Sequence, residues 1–257
     1  ISDFDQYFNI RLPKEKLNKD SDFFAPQSIW NLIRHKKILD IIEKLIGSEI
    51  NSNPVQNSRI KQPEKFLKKK TLYNGLSGRT PWHQDAGVLS VKGQKQTDLI
   101  TCWVPFTKTT KKNGCMITVP GLQKKGLFNH DADSTGQAYI RKSELLNKFK
   151  TVALEANLGD IVLLSKHTVH CSLPNISNNF RISMDLRYHK SGQPSGRDLL
   201  PNFCVRSKNK NKIKINNFKQ WLAVWEKAKQ KCIPKKYTFK YQTPTFKGNK
   251  RDLSNLI

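Results

Sequence analysis

Arg181-Ile182-Ser183-Met184-Asp185-Leu186-Arg187-Tyr188 alternates polar and apolar residues without a break. Strand side chains point to opposite faces in turn, so Arg181, Ser183, Asp185 and Arg187 share one face. Ile182, Met184, Leu186 and Tyr188 share the other, and that apolar face needs a layer to pack against. If helices supply the layer, the polar face lines an interior. A guanidinium held there needs an anion, because a buried unpaired charge is expensive. A dicarboxylate ligand would supply one to Arg181 through two parallel hydrogen bonds, and Asp185 is a competing internal partner.

Short strand patterns recur upstream of this segment. Gly159-Asp160 opens the apolar run Ile161–Leu164, and Leu99–Phe106 carries Ile100, Cys102, Trp103 and Val104. Cys115–Val119 lies between a hairpin-type turn at Lys112-Asn113-Gly114 and a second turn at Pro120-Gly121. Several such strands with regular turn signals predict a sandwich or jelly roll. Gly126–Phe149 reads as an excursion with a short helix near Ser143–Phe149. Asn51–Pro63 reads as polar and turn-rich, followed by a short extended stretch through Tyr73 and a loop at 74–80. Helical spacing of Ile29, Leu32, Ile33, Ile38, Ile41, Ile42 and Leu45 predicts a helix from Pro26 to Gly47, with Gly47 as its C-cap. A second amphipathic helix is predicted over Asn217–Lys231, using Phe218, Trp221, Leu222 and Trp225.

At 257 residues the chain is long enough for one sizeable core, and 37% hydrophobic residues argue for a folded protein. No apolar run approaches the roughly 18–20 residues that span a bilayer. The sequence opens on Ile1 and not on methionine, so a natural N-terminus, with any targeting segment, is expected to be missing. Five cysteines, odd in number and without a CxxC pair, fit reduced thiols and a cytoplasmic location better than a disulfide framework. The net charge of +26 favours anionic partners in general. Its lysines are spread along the chain, with short clusters at 68–70, 208–214 and 235–236, and no row of base-stacking aromatics accompanies them. Nucleic acid is therefore the lesser expectation, and a small molecule the greater.

Trp82-His83-Gln84-Asp85 supplies the chemistry. Two histidines and one carboxylate on one face of an iron ion leave coordination positions open for substrate and O₂. Residues i and i+2 of a strand point the same way, so His83 and Asp85 can grip one metal while Gln84 points aside. A more distant histidine must complete the set, and His167 and His170 compete for that role. His170 is preferred, since Ser172 follows at i+2 and Arg181 lies just beyond the turn Pro174–Asn179, on what would be the adjacent strand.

Together these motifs resemble the phytanoyl-CoA dioxygenase-like Fe(II)/2-oxoglutarate oxygenases over roughly residues 28–207. The resemblance rests on Trp82-His83-Gln84-Asp85, Trp103, Asn113-Gly114-Cys115 with Pro120-Gly121, Gly159-Asp160, His170-Cys171-Ser172, Asn175-x-Ser177, and Arg181-x-Ser183 running into Asp185-Leu186-Arg187-Tyr188. It implies a mainly β fold with flanking helices around a double-stranded β-helix, the cupin-like jelly roll. One oxygenase domain would fill 1–257, with helical support at about 26–50, the core at about 55–207 and a helical tail at about 216–257. His83, Asp85 and His170 would hold Fe(II), and Arg181 would bind the distal carboxylate of 2-oxoglutarate with Ser183 and Ser172. Gln84, Trp103 and Asn57 match positions lining the cosubstrate pocket in relatives. Gln123 departs from the family's pattern, which often has a histidine there, in a part of the chain outside the iron ligands.

The implied activity is a dioxygenase that hydroxylates a small molecule while converting 2-oxoglutarate and O₂ to succinate and CO₂. A halogenating variant leaves the carboxylate position empty for chloride, so Asp85 favours hydroxylation. Arg187, inward by parity, and Arg197, in the loop Gly192-Gln193-Pro194-x-Gly196-Arg197, are candidates to meet an anionic group on the substrate, with Asp185 as the alternative partner of Arg187. A nucleic-acid-modifying oxygenase and a non-catalytic cupin-like binding protein are the rival readings.

Overall fold

The computed structural model describes residues 27–67, 78–132, 138–141 and 143–232. The stretch through Tyr73, most of the loop at 74–80, the lysines at 68–70 and 235–236, and the tail past Cys232 lie outside them. The apolar face of β11 (Arg181–Lys190) organises the rest. This strand is paired along most of its length on both edges. β1 (Ile50–Ser52) takes residues 188–190 and β2 (Asn57–Lys61) takes 181–185 on one edge. β4 (Ile100–Pro105) runs along the other. β9 (Val162–Ser165) continues from β4 and β12 (Phe203–Arg206) from β1, giving the order β12-β1-β11-β4-β9, with β2 also on β11.

The second sheet has the order β3-β10-β5-β8, built from β3 (Thr80–His83), β10 (His170–Ser172), β5 (Met116–Thr118) and β8 (Val152–Leu154). Every ladder in both sheets is antiparallel. β10 and β11 follow one another in the chain but belong to different sheets. The expectation of adjacent strands is corrected here: His170 and Arg181 project from separate sheets into one interior. Asn175 ties the turn between those strands, since its amide nitrogen donates to the carbonyls of Lys61 (3.1 Å) and Asn179 (2.8 Å).

Helices cover the outer face of the larger sheet, as the alternation of β11 requires. The expected N-terminal helix is two pieces, α1 (Gln27–Ile33) and α2 (Lys36–Ile46), interrupted at Arg34-His35. Gly47 ends α2 at φ +86°, with its N–H donating to the Glu43 carbonyl at 2.8 Å. α3 (Val91–Gln96) was not anticipated, and its Ser90 cap accepts from the Gly93 N–H. α4 (Phe218–Cys232) returns to the same layer as α1. Ile33, Ile42, Trp30, Trp221 and Trp225 pack with Met184, Leu186 and Tyr188 in one core cluster. Arg206 of β12 adds ion pairs to Asp40 (2.8 Å) and Glu43 (2.7 Å) on α2.

A second cluster, including Trp82, Leu122, Phe128 and Leu146, closes the outer face of the smaller sheet. The excursion at 126–149 supplies much of it, through the hairpin β6 (His130–Ala132) and β7 (Ala138–Ile140) and a 3-10 turn at Ser143–Lys148. Between the two sheets lies a small apolar group of Trp103, Met116, Ala156 and Leu164. The result is a jelly roll whose interior is apolar at these residues and charged elsewhere.

Trp221 is 1% exposed and its ring centroid is 5.7 Å from that of Trp30. Trp221→Ala is expected to cost about 3–5 kcal/mol of unfolding free energy, the range for deleting a buried large aromatic. Urea unfolding would measure this, and a loss under about 1 kcal/mol would mean that α4 contributes little to the core.

Candidate metal and cosubstrate site

His83 ends β3, and the backbone stays extended through Gln84 before a 3-10 turn begins at Asp85. Asp85 is thus just outside the strand, yet the extended Gln84 preserves the parity that sets both side chains on one side. His170 opens β10 directly opposite His83 in register. One donor atom from each of His83, Asp85 and His170 lies within 4.8 Å of the others, and all three residues are buried. The two imidazole centroids are 4.2 Å apart, and His83 Nε2 is 3.8 Å from Asp85 Oδ1. His167 is not part of this group; its carbonyl accepts from Gln84 instead, at 2.8 Å.

Both histidines are held in the same way. His83 Nδ1 donates to the Pro81 carbonyl, and His170 Nδ1 to the Thr168 carbonyl, each at 2.9 Å and each two residues back. A proton fixed on Nδ1 leaves the Nε2 lone pair for a metal. Burial, and then the neighbouring His170, hold the His83 imidazole well below its ordinary pKa, so it stays neutral into the acid range. Burial opposes ionisation of Asp85, but Arg187, His170 and His83 outweigh it and hold the carboxyl well below the usual range. The donor set and its protonation fit a divalent cation of the Fe(II) kind.

These residues share an open cavity of about 350 Å³, measured out to solvent, with Arg59, Thr80, Trp103, Ser172, Arg181 and Asp185 among its walls. Arg181 is 1% exposed. Its Nη1 donates to Ser183 Oγ at 2.6 Å, its Nε has no hydrogen-bond partner, and its guanidinium lies 5.5 Å from the Trp103 ring centroid. Among the described residues no carboxylate forms an ion pair with it. Asp185, the competing partner, is taken by Arg59 at 3.0 Å. Burial, and then Arg59, push the Arg181 pKa down to about 10, the signature of a cation short of an anion. A ligand carboxylate fits that deficit.

Lys61 was missed in the sequence. It is 2% exposed, and its Nζ donates to Ser172 Oγ (2.7 Å) and to the Leu173 carbonyl (2.6 Å). Burial, then Arg181 and Arg59, hold its pKa well below the ordinary lysine value. Its aliphatic stem lies against Gly114, at φ +86°, where an added Cβ would come within 2.6 Å of Lys61 Cδ. Ser172 accepts from Lys61 and from the Thr80 N–H, and touches Arg181 through neither.

Four expected roles change. Gln84 does not face the cavity: its side chain bridges the Gly126 and His167 carbonyls (2.7 and 2.8 Å) and the Phe128 N–H (2.8 Å), bracing the excursion. Asn57 sits beside Arg187, whose Nη1 its amide oxygen can accept at 3.0 Å in the orientation that also satisfies the Gln56 carbonyl. Arg187 is 2% exposed and bonded to Asp85 Oδ1 (2.8 Å), Thr101 Oγ1 (3.1 Å) and the Val55 carbonyl (2.9 Å), so it stands in the cavity wall with its donors committed to the protein. Arg197 donates to the Val88 carbonyl and is likewise turned into the protein.

His170→Ala is expected to abolish stoichiometric metal uptake, measured by calorimetry with Co(II) or Ni(II), whereas His167→Ala retains it. The reverse pattern would assign the distal ligand to His167.

Comparison with known proteins agrees with this geometry. The phytanoyl-CoA dioxygenase (PhyH) family profile matches residues 4–183. A Caenorhabditis elegans protein described as a probable phytanoyl-CoA dioxygenase is 26% identical over 181 residues, 68% of this chain and 55% of that protein. A Stutzerimonas stutzeri protein described as a probable alpha-ketoglutarate-dependent hypophosphite dioxygenase is 28% identical over 156 residues, 58% of this chain and 49% of its own. The chain spans about half the length of these curated relatives. The solved nickel complex of the non-heme monooxygenase ThoJ matches with a TM-score of 0.53 and 19% identity, over 83% of this chain and 78% of that one, a likeness of fold. Because the family match runs unbroken across His83, Asp85, His170 and Arg181, the chain belongs to the phytanoyl-CoA dioxygenase family of Fe(II)/2-oxoglutarate oxygenases.

Proposed function

We propose that the protein hydroxylates a small molecule, converting substrate, 2-oxoglutarate and O₂ to hydroxylated product, succinate and CO₂. The observation that carries this reading is the buried Arg181, without a carboxylate partner among the described residues, in the same cavity as three convergent metal donors. Iron with 2-oxoglutarate, when bound, supplies the oxidising chemistry, and the protein supplies geometry and a water-poor site.

His83, Asp85 and His170 would hold the metal on one side, leaving the opposite side toward the cavity. Arg181 would pair with the distal carboxylate of the cosubstrate, with Ser183 fixing the guanidinium through Nη1. Trp103 lies under the same guanidinium and limits its rotation. Trp103, Met116 and Leu164 exclude water from that wall. Lys61, held on Ser172, stands opposite Arg181 on the neighbouring strand and fixes the Ser172 hydroxyl in the cavity wall.

Substrate charge follows from the same balance. Around the site Arg59, Arg181 and Arg187 outnumber Asp85 and Asp185 among the described residues. A divalent metal and a dicarboxylate cancel one another, so the excess persists in the loaded protein and favours an anionic substrate. The hypophosphite named for one relative is such an anion. Substrate-dependent succinate release across small anions and their neutral analogues tests this, and a clear preference for neutral compounds would exclude it. Among the described residues no helix is long and apolar enough to cross a membrane.

Arg181→Leu is expected to raise the 2-oxoglutarate concentration for half-maximal succinate formation by well over tenfold, since truncating one partner of a buried charge pair costs about 2–5 kcal/mol. Co(II) affinity should stay within about threefold of the unaltered protein, because Arg181 is not a ligand. Unchanged 2-oxoglutarate dependence would make Arg181 a structural residue and remove the main support for the cosubstrate.

A further inference from the structure

The carboxylate of the triad is held by groups for which the proposed reaction has no other use. Asp85 Oδ1, the oxygen 3.8 Å from His83 Nε2 and so the one facing the metal position, accepts from Arg187 Nη2 at 2.8 Å. Its other oxygen, Oδ2, accepts from the Thr101 hydroxyl. Thr101 Oγ1 in turn accepts from Arg187 Nε at 3.1 Å, so one hydroxyl touches both members of the ion pair. Arg187 is fixed from behind by the Val55 carbonyl at 2.9 Å. Asp185 Oδ2 lies 3.7 Å from its Nη2, and Arg59 holds Asp185 at 3.0 Å. The charges alternate from the cavity wall to the ligand: Arg59, Asp185, Arg187, Asp85.

We propose that Arg187, acting with Thr101, is a positioning residue that restricts Asp85 to coordination through Oδ1 alone. A free carboxylate can chelate a metal with both oxygens. Here Arg187 on Oδ1 and Thr101 on Oδ2 together fix the carboxylate's orientation, so turning it to present both oxygens strains both bonds, and the guanidinium is itself tied to Val55 and Thr101. One-oxygen coordination leaves an octahedral ion with room for both donor oxygens of 2-oxoglutarate and for O₂, and chelation would remove one of those places. The backbone supports the arrangement, since β11 and β4 pair Arg187 with Thr101 in direct register.

This inference rests on the metal-centre reading, and the test separates the two. Arg187→Met, Arg187→Lys and Thr101→Val would be loaded with Co(II), whose visible absorption reports coordination number, and titrated with 2-oxoglutarate by calorimetry. Arg187→Met is expected to bind Co(II) about tenfold more weakly, the lower end of effects seen for groups that orient metal ligands. Its Co(II) spectrum should shift toward higher coordination, and its 2-oxoglutarate affinity should fall at least tenfold. Arg187→Lys, which keeps a charged donor for Oδ1, should recover most of both. A folded Arg187→Met with the unaltered Co(II) spectrum and 2-oxoglutarate affinity overturns the proposal. Should Arg187→Met fail to fold, Thr101→Val carries the same test without removing a charge, and an unaltered spectrum there overturns it equally. Absence of Co(II) uptake by the unaltered protein would instead overturn the metal centre and this inference together.

Discussion

One strand must satisfy two incompatible environments, and the rest of the molecule follows from how it does so. β11 turns Met184, Leu186 and Tyr188, each 0% exposed, toward the helices, and Arg181, Asp185 and Arg187, none above 4%, toward the interior. Three charged groups cannot be buried on one face unless other charges and dipoles meet them. The facing elements are built to that need. β2 brings Arg59 to Asp185, the turn after β3 brings Asp85 to Arg187, and β4 brings Thr101 to both members of that pair. Arg181 alone among the three is left without a carboxylate among the described residues, and the imbalance is local to the cavity.

This explains why the functional groups cluster without the protein being unstable there. Breaking a buried ion pair by removing one partner typically costs about 3–5 kcal/mol, so Asp85 and Arg187 constrain each other as firmly as core side chains do. Charge that would be a liability on an isolated strand becomes a set of fixed directions. The apolar group of Trp103, Met116, Ala156 and Leu164 separates the two sheets beside those charges and keeps the intervening medium poor in water, which strengthens each electrostatic contact.

The parts of this that were legible in the sequence are those with a simple period or spacing. The alternation of β11 announced its two faces, and His83-x-Asp85 announced a metal grip, although Asp85 proves to lie in a turn and not in the strand. In the sequence β2 reads as a polar, turn-rich segment because both of its faces are polar. Asn57, Arg59 and Lys61 meet the interior, and only Ile60 is apolar, so no alternation of hydrophobicity survives. Lys61 was missed for that reason. Only its pairing opposite Arg181 reveals it, and strand register is invisible before the fold is known. Arg187 was legible as inward-facing, but its partner was not: parity nominated Asp185, whereas the nearer carboxylate, Asp85, comes from a different sheet's turn. Gln84 shows the converse error, a residue beside two ligands whose own side chain serves the excursion at 126–130.

The repeated Nδ1 contact of His83 and His170 with carbonyls two residues back has a consequence for the life of the protein without its metal. Each ring is latched by a carbonyl just before it in the chain, so each imidazole has an orienting bond besides the ion, and Asp85 has Arg187 as a standing counter-charge. In small zinc domains the free energy of metal binding is consumed in ordering the chain. Here the ligands' own hydrogen bonds leave less ordering for the metal to impose, so the free energy of binding adds to the stability of a fold that is already specified.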